Sequence, residues 1–256
     1  MTRVQITGDT ISPAGARITT FLLEYPLVIH AEVLRHKALS HQVASSRAIP
    51  TSEYIKKAAW IPSKFYARRP GMSGNPEGLP PVKDFLARGV WRFLQGMERV
   101  GARVLSWLGV AKEHANRRLA CDAYVVHLVT ATEDGWENFF KLRCAEGVQP
   151  EIRKLAYMMR SHMGYNTPIM GGTHYPLRLL GAFGVDESVG KLARISYGGV
   201  PVDEPKEASL DRRNRLWASK HVSPFEHVAF SLDDPKAVCK NLTGWRSYRT
   251  ILEEGI

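Results

Sequence analysis

Alternating apolar and polar residues predict that the chain begins with strands. Arg17–Tyr25 is rich in β-branched and aromatic residues, which favour a strand, and Val4–Ile6 predicts a shorter strand before it. Pro26 suits the first turn of a helix, and good helix formers continue to Lys37, so we expect a helix of about three turns. Residues 40–47 are mostly short and polar and predict a loop.

Apolar residues at helical spacing dominate the middle of the chain. Residues 83–110 carry Phe, Leu, Val and Met at three- and four-residue intervals, which predicts a long helix whose apolar stripe packs in the core. Residues 66–82, rich in proline and glycine, predict a surface loop. Further helices are predicted at 111–121, 133–143, 150–163, 210–220 and 244–256. Strands are predicted at 191–199 and 227–232, and a strand or buried turn at 124–131.

Composition is that of an ordinary globular protein. The 256 residues are 44% hydrophobic and 23% charged, which allows a sizeable core in one domain or in two small ones. Our prediction is a single domain over residues 1–256. We expect no secretion leader and no membrane span, because no apolar run approaches 18 residues. Three cysteines without close spacing argue against a disulfide framework and fit the cytoplasm. No two histidines lie at ligand spacing beside carboxylates, so no metal site is predicted.

The formal charge of +10 implies an anionic partner. Small phosphorylated molecules and nucleic acids both satisfy it. A nucleic-acid-binding surface is therefore an alternative hypothesis. It would be formed by Arg68, Arg69, Arg88, Arg92, Arg99, Arg103, Arg117 and Arg118.

Polar residues with candidate chemistry cluster at 26–47. Glu32, Arg35 and His36 fall at i, i+3 and i+4, which places them on one face of the predicted helix. The following segment carries short hydroxyls and ends in Arg47. Arginines that form bidentate pairs, with hydroxyls between them, are typical of a phosphate site.

The segment RHKALSHQVASSR resembles the signature of the flavin-dependent thymidylate synthases: Arg-His-Arg, seven residues, then Ser and Arg. Arg35, His36, Ser45 and Arg47 match, whereas Lys37 stands where the family has its second arginine. Further blocks are similar to the same family. They are LRCAEGVQPEIR (142–153), ENFFKLR (137–143), GVAKEHAN (109–116), ARISYGG (193–199) and HVSPFEH (221–227).

The order of these blocks differs from the order in the family. There the blocks resembling ARISYGG and SPFEH precede the Arg-His-Arg block, whereas here they follow it. The resemblance therefore implies a circularly permuted α/β (α+β) fold, with a mixed twisted β-sheet packed with helices. Such a permutation is tolerable where chain ends lie close together, so we expect the N- and C-terminal segments to occupy neighbouring elements.

The resemblance also implies a reaction. It is transfer of a one-carbon unit from methylene-tetrahydrofolate to C5 of a pyrimidine deoxynucleotide, with FAD as redox partner, NADPH as candidate reductant and a homotetramer that shares its sites. The implied catalytic residue is Arg143, whose charge would lie beside the pyrimidine ring. The implied nucleotide-binding residues are Glu32, Arg35, Lys37, Ser45, Ser46, Arg47, Arg117 and Arg143. The implied cofactor-binding residues are His36, Asn138, Gln149, Ser196, His221, Ser223 and Glu226.

Departures from the family gather on the nucleotide side. Glu32 stands where the family has a glutamine, and Val43 where it has a glutamate. Asn116 stands where the family has an arginine, whose role the adjacent Arg117 would take over. Conversion of dUMP to dTMP is the default product. Hydroxymethylation of dCMP or dUMP remains an alternative, because the Glu32 carboxylate can accept from the exocyclic amine of cytosine.

Overall fold

A computed structural model describes residues 1–70, 77–177, 184–199 and 203–256. The strands are β1 (Arg3–Ile11), β2 (Arg17–Pro26), β3 (Ser40–Val43), β4 (Tyr124–Thr132), β5 (Ile169–Met170), β6 (Thr173–His174), β7 (Ala229–Ser231), β8 (Val238–Cys239), β9 (Leu242–Thr243) and β10 (Trp245–Ser247). The α-helices are α1 (His30–Leu34), α2 (Thr51–Lys57), α3 (Pro81–Trp107), α4 (Lys112–Ala115), α5 (Glu133–Arg143), α6 (Pro150–Tyr165), α7 (Val185–Leu192), α8 (Lys206–Ala218) and α9 (Tyr248–Glu254). Short 3-10 helices cover Leu27–Ile29, Asn116–Asp122, Ala193–Tyr197 and Ser223–His227.

The main sheet has five strands in the order β3-β4-β2-β1-β5. All pairs are antiparallel except β1 with β5. A tight turn joins β1 to β2, in which the Ser12 hydroxyl accepts from the backbone N–H of Ala16 and Gly15 has a φ of 93°. Glycine adopts that left-handed conformation at little cost. The predicted mixed α/β fold is confirmed.

Both faces of the sheet are covered, so its central strands are apolar at consecutive positions. Phe21 and Leu23 of β2 pack with Trp136 of α5 and Leu155 of α6 in the largest hydrophobic cluster. The intervening Leu22 points to the opposite cluster, which includes residues of α7 and of the 3-10 helix that follows it. Burial on both faces fixes the register of β2, because a one-residue slip would exchange the two sets.

The C-terminal segment packs against the turn between β1 and β2. Trp245 is fully buried and its indole N–H donates to the carbonyl of Ala16 at 3.2 Å. Trp245 also shares a hydrophobic cluster with Ile18 and with Ala229 of β7. The C-terminal elements therefore meet β2 where it begins, near Ile18, rather than where it ends at Pro26.

Helices α7 and α8 approach each other closely at Gly190. A side-chain carbon there would overlap the backbone of Ser209. Beside this contact, Arg212 of α8 holds Glu204 through two hydrogen bonds. This pairing lowers the pKa of the Glu204 carboxyl to about 2.

Several elements differ from the sequence predictions. The predicted three-turn helix is a 3-10 turn followed by the five-residue α1, which ends before Arg35. Part of the predicted loop at 40–47 is strand β3, which completes the edge of the sheet. The predicted strand at 191–199 is wrong, because Ala193–Tyr197 is a 3-10 helix. Residues 71–76 of the predicted loop lie outside the described residues.

The prediction that the stripe on α3 packs in the core is also wrong. The inward face of α3 instead carries Gln95 and Ala102, its buried residues, together with Arg99, which donates to the carbonyl of Ala58. The outward apolar side chains are about half exposed or more. Seven of them form a stripe along the helix, namely Leu86, Val90, Phe93, Met97, Val100, Val104 and Trp107, and Val82, Phe85 and Leu94 are exposed beside it.

Candidate functional site

Gln42 joins two segments that lie far apart in sequence. Its amide nitrogen donates to the Ser196 hydroxyl at 2.9 Å, and its amide oxygen accepts from the Ser223 hydroxyl at 2.5 Å. Strand β3 carries Gln42 in the middle of this bridge, and the backbone N–H of Ser45 donates to the carbonyl of Ser196 at 2.8 Å. The fold therefore brings the RHK, ARISYGG and SPFEH segments together.

These bridged residues line a cavity of about 540 Å³, which we call the glutamine cavity. Its wall contains Gln42, Ser196, Ser223 and His221, so three of the predicted cofactor-binding residues meet there. The imidazole of His221 is held by the Ser219 hydroxyl at 2.9 Å. The wall also contains three guanidinium groups, those of Arg194, Arg212 and Arg215. This arrangement of cations and hydroxyls is suited to a phosphate-bearing ligand.

A second cavity of about 330 Å³ lies where β3 ends, at Val43, and we call it the serine cavity. Predicted nucleotide-binding residues Ser45 and Ser46 line it, together with His30 and Lys57. The remaining wall is apolar and aromatic. It is formed by Leu27, Val43, Ala44, Ile49, Tyr54, Tyr124, Val125 and Val126.

A third cavity of about 450 Å³ joins the RHK turn to the C-terminal segment. Lys37 and Glu226, both predicted site residues, line it with Lys240, Asn241 and Arg249. Arg249 binds the Glu226 carboxylate directly, and the Asn241 amide donates to Ser40 at 3.0 Å. The C-terminal segment therefore positions both motifs.

The predicted catalytic residue Arg143 is held by α1 and by the turn that follows it. Its Nε donates to Nε2 of His36 at 2.8 Å, and Nη1 donates to Oε2 of Glu32 at 3.0 Å. Burial and the nearby guanidinium lower the pKa of His36 to about 4. His36 is thus a neutral acceptor, and Glu32 pairs with Arg143 rather than with Arg35 or His36. Arg35 itself is exposed.

Asn116 has a structural position rather than the ligand-facing one of the arginine it replaces. It is fully buried, and its amide donates to the carbonyls of Ser46 and Ile49 at 2.7 and 3.0 Å. Arg117 is exposed. Arg47 is exposed and pairs with Glu113 at 3.0 Å.

Besides His36, which contacts Arg143, two further predicted cofactor-binding residues lie apart from the others. Asn138 on α5 and Gln149 before α6 are exposed, and neither lines one of the three cavities. Arg143 lines none of these cavities either. Among the residues that the structure describes, one copy of the chain therefore does not bring all predicted site residues to one place.

Sequence reasoning missed Gln42 and the C-terminal contributors. Gln42 lies inside the recognised motif, in the segment that the sequence predicts to be a loop. Its assignment to a strand would have shown it pointing opposite to His41. Nothing in the local sequence of Asn241 or Arg249 indicates that the fold returns them to the motif residues.

No group of three or more metal-ligating side chains occurs in the described ranges. No helix among the described residues is long and apolar enough to cross a membrane.

Comparison with solved structures shows the fold. A UMP/dUMP methylase, PolB from Streptomyces cacaoi, in a complex with 5-Br UMP is 18% identical, with a TM-score of 0.50 over 66% of this chain and 90% of that chain. A second structure of PolB, bound with 5-Br dUMP, has a TM-score of 0.47 at 18% identity over 60% of this chain and 67% of that chain.

Comparison of sequences shows the family. A flavin-dependent thymidylate synthase from Aquifex aeolicus (strain VF5) is 25% identical over 153 residues. The alignment spans 57% of this chain but only 45% of that relative's length. The sequence model of the thymidylate synthase complementing protein family matches residues 10–169, which is more than half of the chain and includes the RHK motif. The chain therefore belongs to the thymidylate synthase complementing protein family, as the motifs indicated.

Proposed function

We propose that the protein is a flavin-dependent enzyme that transfers a one-carbon unit from methylene-tetrahydrofolate to C5 of a pyrimidine deoxynucleoside monophosphate, with dUMP to dTMP as the principal reaction. The observation that carries this proposal is the bridge from Gln42 to Ser196 and Ser223. It unites three motif segments around one cavity. Family membership alone would not require that convergence in a chain with reordered motifs.

The glutamine cavity fits a flavin dinucleotide. Its volume of about 540 Å³ lies within the range of cofactor sites, roughly 300–1,000 Å³. Ser196, Ser223 and His221 would hold polar atoms of the cofactor, and Arg194 and Arg215 would hold its diphosphate. When bound, FAD supplies the redox chemistry that the side chains lack.

The serine cavity suits the nucleotide. At about 330 Å³ it is the smaller of the two, and Ser45, Ser46 and Lys57 offer hydroxyls and a cation for a single phosphate. The backbone hydrogen bond from the N–H of Ser45 to the carbonyl of Ser196 would fix the distance between this cavity and the glutamine cavity. The protein would thereby hold two reactants in a defined relative orientation, which contributes much of the rate in two-substrate reactions.

Arg143 would act as the preorganised charge beside the pyrimidine ring. Charge placed before the reaction stabilises the negative charge that builds up on the ring as C5 becomes nucleophilic. Glu32 and His36 orient the guanidinium. Because Arg143 lies outside both cavities of its own chain, it would serve a site on a neighbouring copy, as would Asn138 and Gln149.

The exposed stripe on α3 supports the association that such sharing requires. Its seven residues, Leu86 to Trp107, alternate at spacings of four and three, the repeat of a helix–helix seam. Two copies of α3 packed along this stripe would bury on the order of several hundred Å² per partner, approaching the roughly 800 Å² of a standard interface. We propose this pairing as one contact of a homotetramer.

The nucleic-acid alternative is less well supported. Arg88 donates to the carbonyls of Pro62 and Ser63 and Arg99 to that of Ala58, so these two of the eight arginines are engaged in contacts within the chain. Arg118 pairs with Glu98 at 3.3 Å. The charge that remains is accounted for by phosphorylated substrates and folate.

Hydroxymethylation of dCMP or dUMP is the second candidate. Oε2 of Glu32 is engaged by Arg143, which favours a structural role for this carboxylate and hence dUMP methylation. Oε1 has no partner among the described residues and remains an acceptor for the amine of cytosine.

We also propose that residues 1–256 form one domain with circularly permuted order. The strand after SPFEH, β7, shares a cluster with Ile18 at the start of β2. The permuted order would join the end of β7, near Leu232, to the segment that begins at Pro26. Because β7 packs at the opposite end of β2, this contact does not support that junction, and the proposal rests on the order of the motif blocks. The three free cysteines accord with a cytoplasmic protein.

The function is tested by incubating the protein with dUMP or dCMP, methylene-tetrahydrofolate, FAD and NADPH, followed by mass analysis of the nucleotide. We expect dUMP to gain one methyl group. Flavin-free protein should not catalyse this reaction unless FAD is added. A hydroxymethyl product would favour the second candidate. Failure to bind FAD, seen as an unchanged flavin absorption spectrum, would remove the proposal.

A further inference from the structure

Four side chains, two of them fully buried, form a continuous hydrogen-bonded chain that ends at the serine cavity. The Tyr25 hydroxyl lies 2.8 Å from Nδ1 of His30 and 2.6 Å from Nδ1 of His127. Nε2 of His127 lies 3.0 Å from Nδ1 of His41. Tyr25 and His127 are fully buried, whereas His30 is half-buried and lines the serine cavity.

The protons of this chain are coupled. A neutral imidazole has one N–H and one lone pair, and a phenol donates one proton. If Tyr25 donates to His30, it must accept from His127, which then accepts from His41. If His30 donates to Tyr25, every link is reversed. Both arrangements satisfy each shared atom, so the chain has two hydrogen-bonded states, and in both of them Nε2 of His41 at its far end has no partner among the described residues.

The three histidines are neutral in either state. Burial lowers the pKa of His30 and lowers that of His127 far below its ordinary value. Burial likewise lowers the pKa of His41 to about 4. The difference between the two states therefore appears at His30 as a change of tautomer and not as a change of charge.

The tautomer decides what His30 presents to the cavity. Because Nδ1 of His30 is hydrogen-bonded to the Tyr25 hydroxyl, Nε2 is the ring nitrogen that remains available to a ligand. In one state of the chain Nε2 carries a proton and donates, and in the other it is a lone pair and accepts. The edge of a uracil offers a carbonyl oxygen at the position where cytosine offers an amine, so the two bases need opposite partners.

We propose that His30 contacts the pyrimidine base in the serine cavity through Nε2, and that Tyr25, His127 and His41 are positioning residues whose reversal lets that nitrogen donate or accept. This inference rests on the proposed function, since it assigns the base of the nucleotide to this cavity. It makes His30 a residue that tolerates both bases, so discrimination between dUMP and dCMP must come from elsewhere in the site.

The test is binding of dUMP and of dCMP to the full-length protein by calorimetry. His30→Phe should weaken both nucleotides by about tenfold, the effect of one lost hydrogen bond. His30→Gln should bind both within about threefold of the unchanged protein, because an amide can present either a donor or an acceptor.

Tyr25→Phe removes the link that couples His30 to the rest of the chain. The two tautomers of His30 then no longer have matched partners, and we expect the ratio of dUMP to dCMP affinity to change at least threefold. Tyr248→Phe removes a hydroxyl that likewise bridges two partners, Arg213 and Asp186, but lies outside the three cavities, and should leave the ratio unchanged. Thermal unfolding of each variant verifies that it is folded.

Nitrogen-15 NMR provides a readout independent of affinity. Nε2 of His30 should move toward the protonated-nitrogen shift with one nucleotide and toward the unprotonated shift with the other. If His30→Phe binds both nucleotides as the unchanged protein does, or if the Nε2 shift is insensitive to both, this inference alone is overturned. If the unchanged protein binds neither nucleotide, the proposed function fails with it.

Discussion

Replacing Gln42 by leucine tests whether its bridge organises the flavin cavity. The change keeps a side chain of similar size but removes the donor to Ser196 and the acceptor from Ser223. Each such hydrogen bond contributes about 0.5–1.5 kcal/mol net. We therefore expect the free energy of unfolding of the flavin-free protein to fall by about 1–3 kcal/mol. The loss should lie near the lower end, because water can reach hydroxyls that line a cavity.

The larger consequence should appear in flavin binding. Ser196 and Ser223 would no longer be held in fixed rotamers, and their segments would lose a direct connection. We expect the Kd for FAD, measured by quenching of flavin fluorescence, to rise about tenfold or more, which corresponds to about 1.4 kcal/mol.

Gln95→Leu is the matched control. Gln95 is also buried, and it likewise bridges two partners, the carbonyl of Trp60 and the guanidinium of Arg99. It lies on α3, outside the three cavities. This variant should lose comparable stability without a change in FAD affinity. Equal FAD affinity in both folded variants would refute the role assigned to Gln42.

Three further predictions concern packing, association and pH. Gly190→Ala should lower the free energy of unfolding by about 1–3 kcal/mol in denaturant titrations, because the new methyl group meets the backbone of Ser209. Phe93→Glu, at a position 67% exposed on the α3 stripe, should give a smaller particle by light scattering, whereas Tyr165→Glu, 88% exposed elsewhere, should not. Burial lowers the pKa of His227 from 6.5 to about 3, so below pH 6.5 the unfolded chain binds a proton that the folded chain excludes. The contribution of His227 to the free energy of unfolding should be constant above pH 6.5. It should fall as the pH drops toward 3, by up to about 1.4 kcal/mol per pH unit. His227→Gln should reduce that slope.

The sequence predicted elements whose own pattern determines them. The apolar periodicity over 133–143 and 150–163 corresponds closely to α5 and α6, because both helices bury one face on β2. The strand over Arg17–Tyr25 was equally predictable, since its branched and aromatic residues fill both layers.

Other elements depend on contacts that a local pattern does not contain. The Lys191–Gly199 segment has strand-like composition, but Lys191 is buried at the end of α7 and Ile195 in the 3-10 helix that packs beside β3. The stripe on α3 has the periodicity of a core helix, yet the sheet is already covered by other helices. Periodicity reveals an apolar face without revealing whether the partner belongs to the same chain.

The site residues also divide into those that a local motif identifies and those that depend on long-range contacts. The motifs located Ser196, Ser223 and Ser45, which the fold brings together, because their residue types are specific to the chemistry. The roles of Gln42, Tyr25 and Arg249 arise from hydrogen bonds across more than 20 residues of sequence, up to 181 for Gln42 with Ser223. Such pairings become visible only when the strand register is known.

The most direct test of the account is transfer of labelled carbon from methylene-tetrahydrofolate to the nucleotide by one protein preparation, with and without its flavin. We predict that flavin-loaded protein places the label on C5 of dUMP, that flavin-free protein does not, and that added FAD restores the transfer. Labelled product from flavin-free protein, or none from flavin-loaded protein with all substrates present, would contradict the central claim.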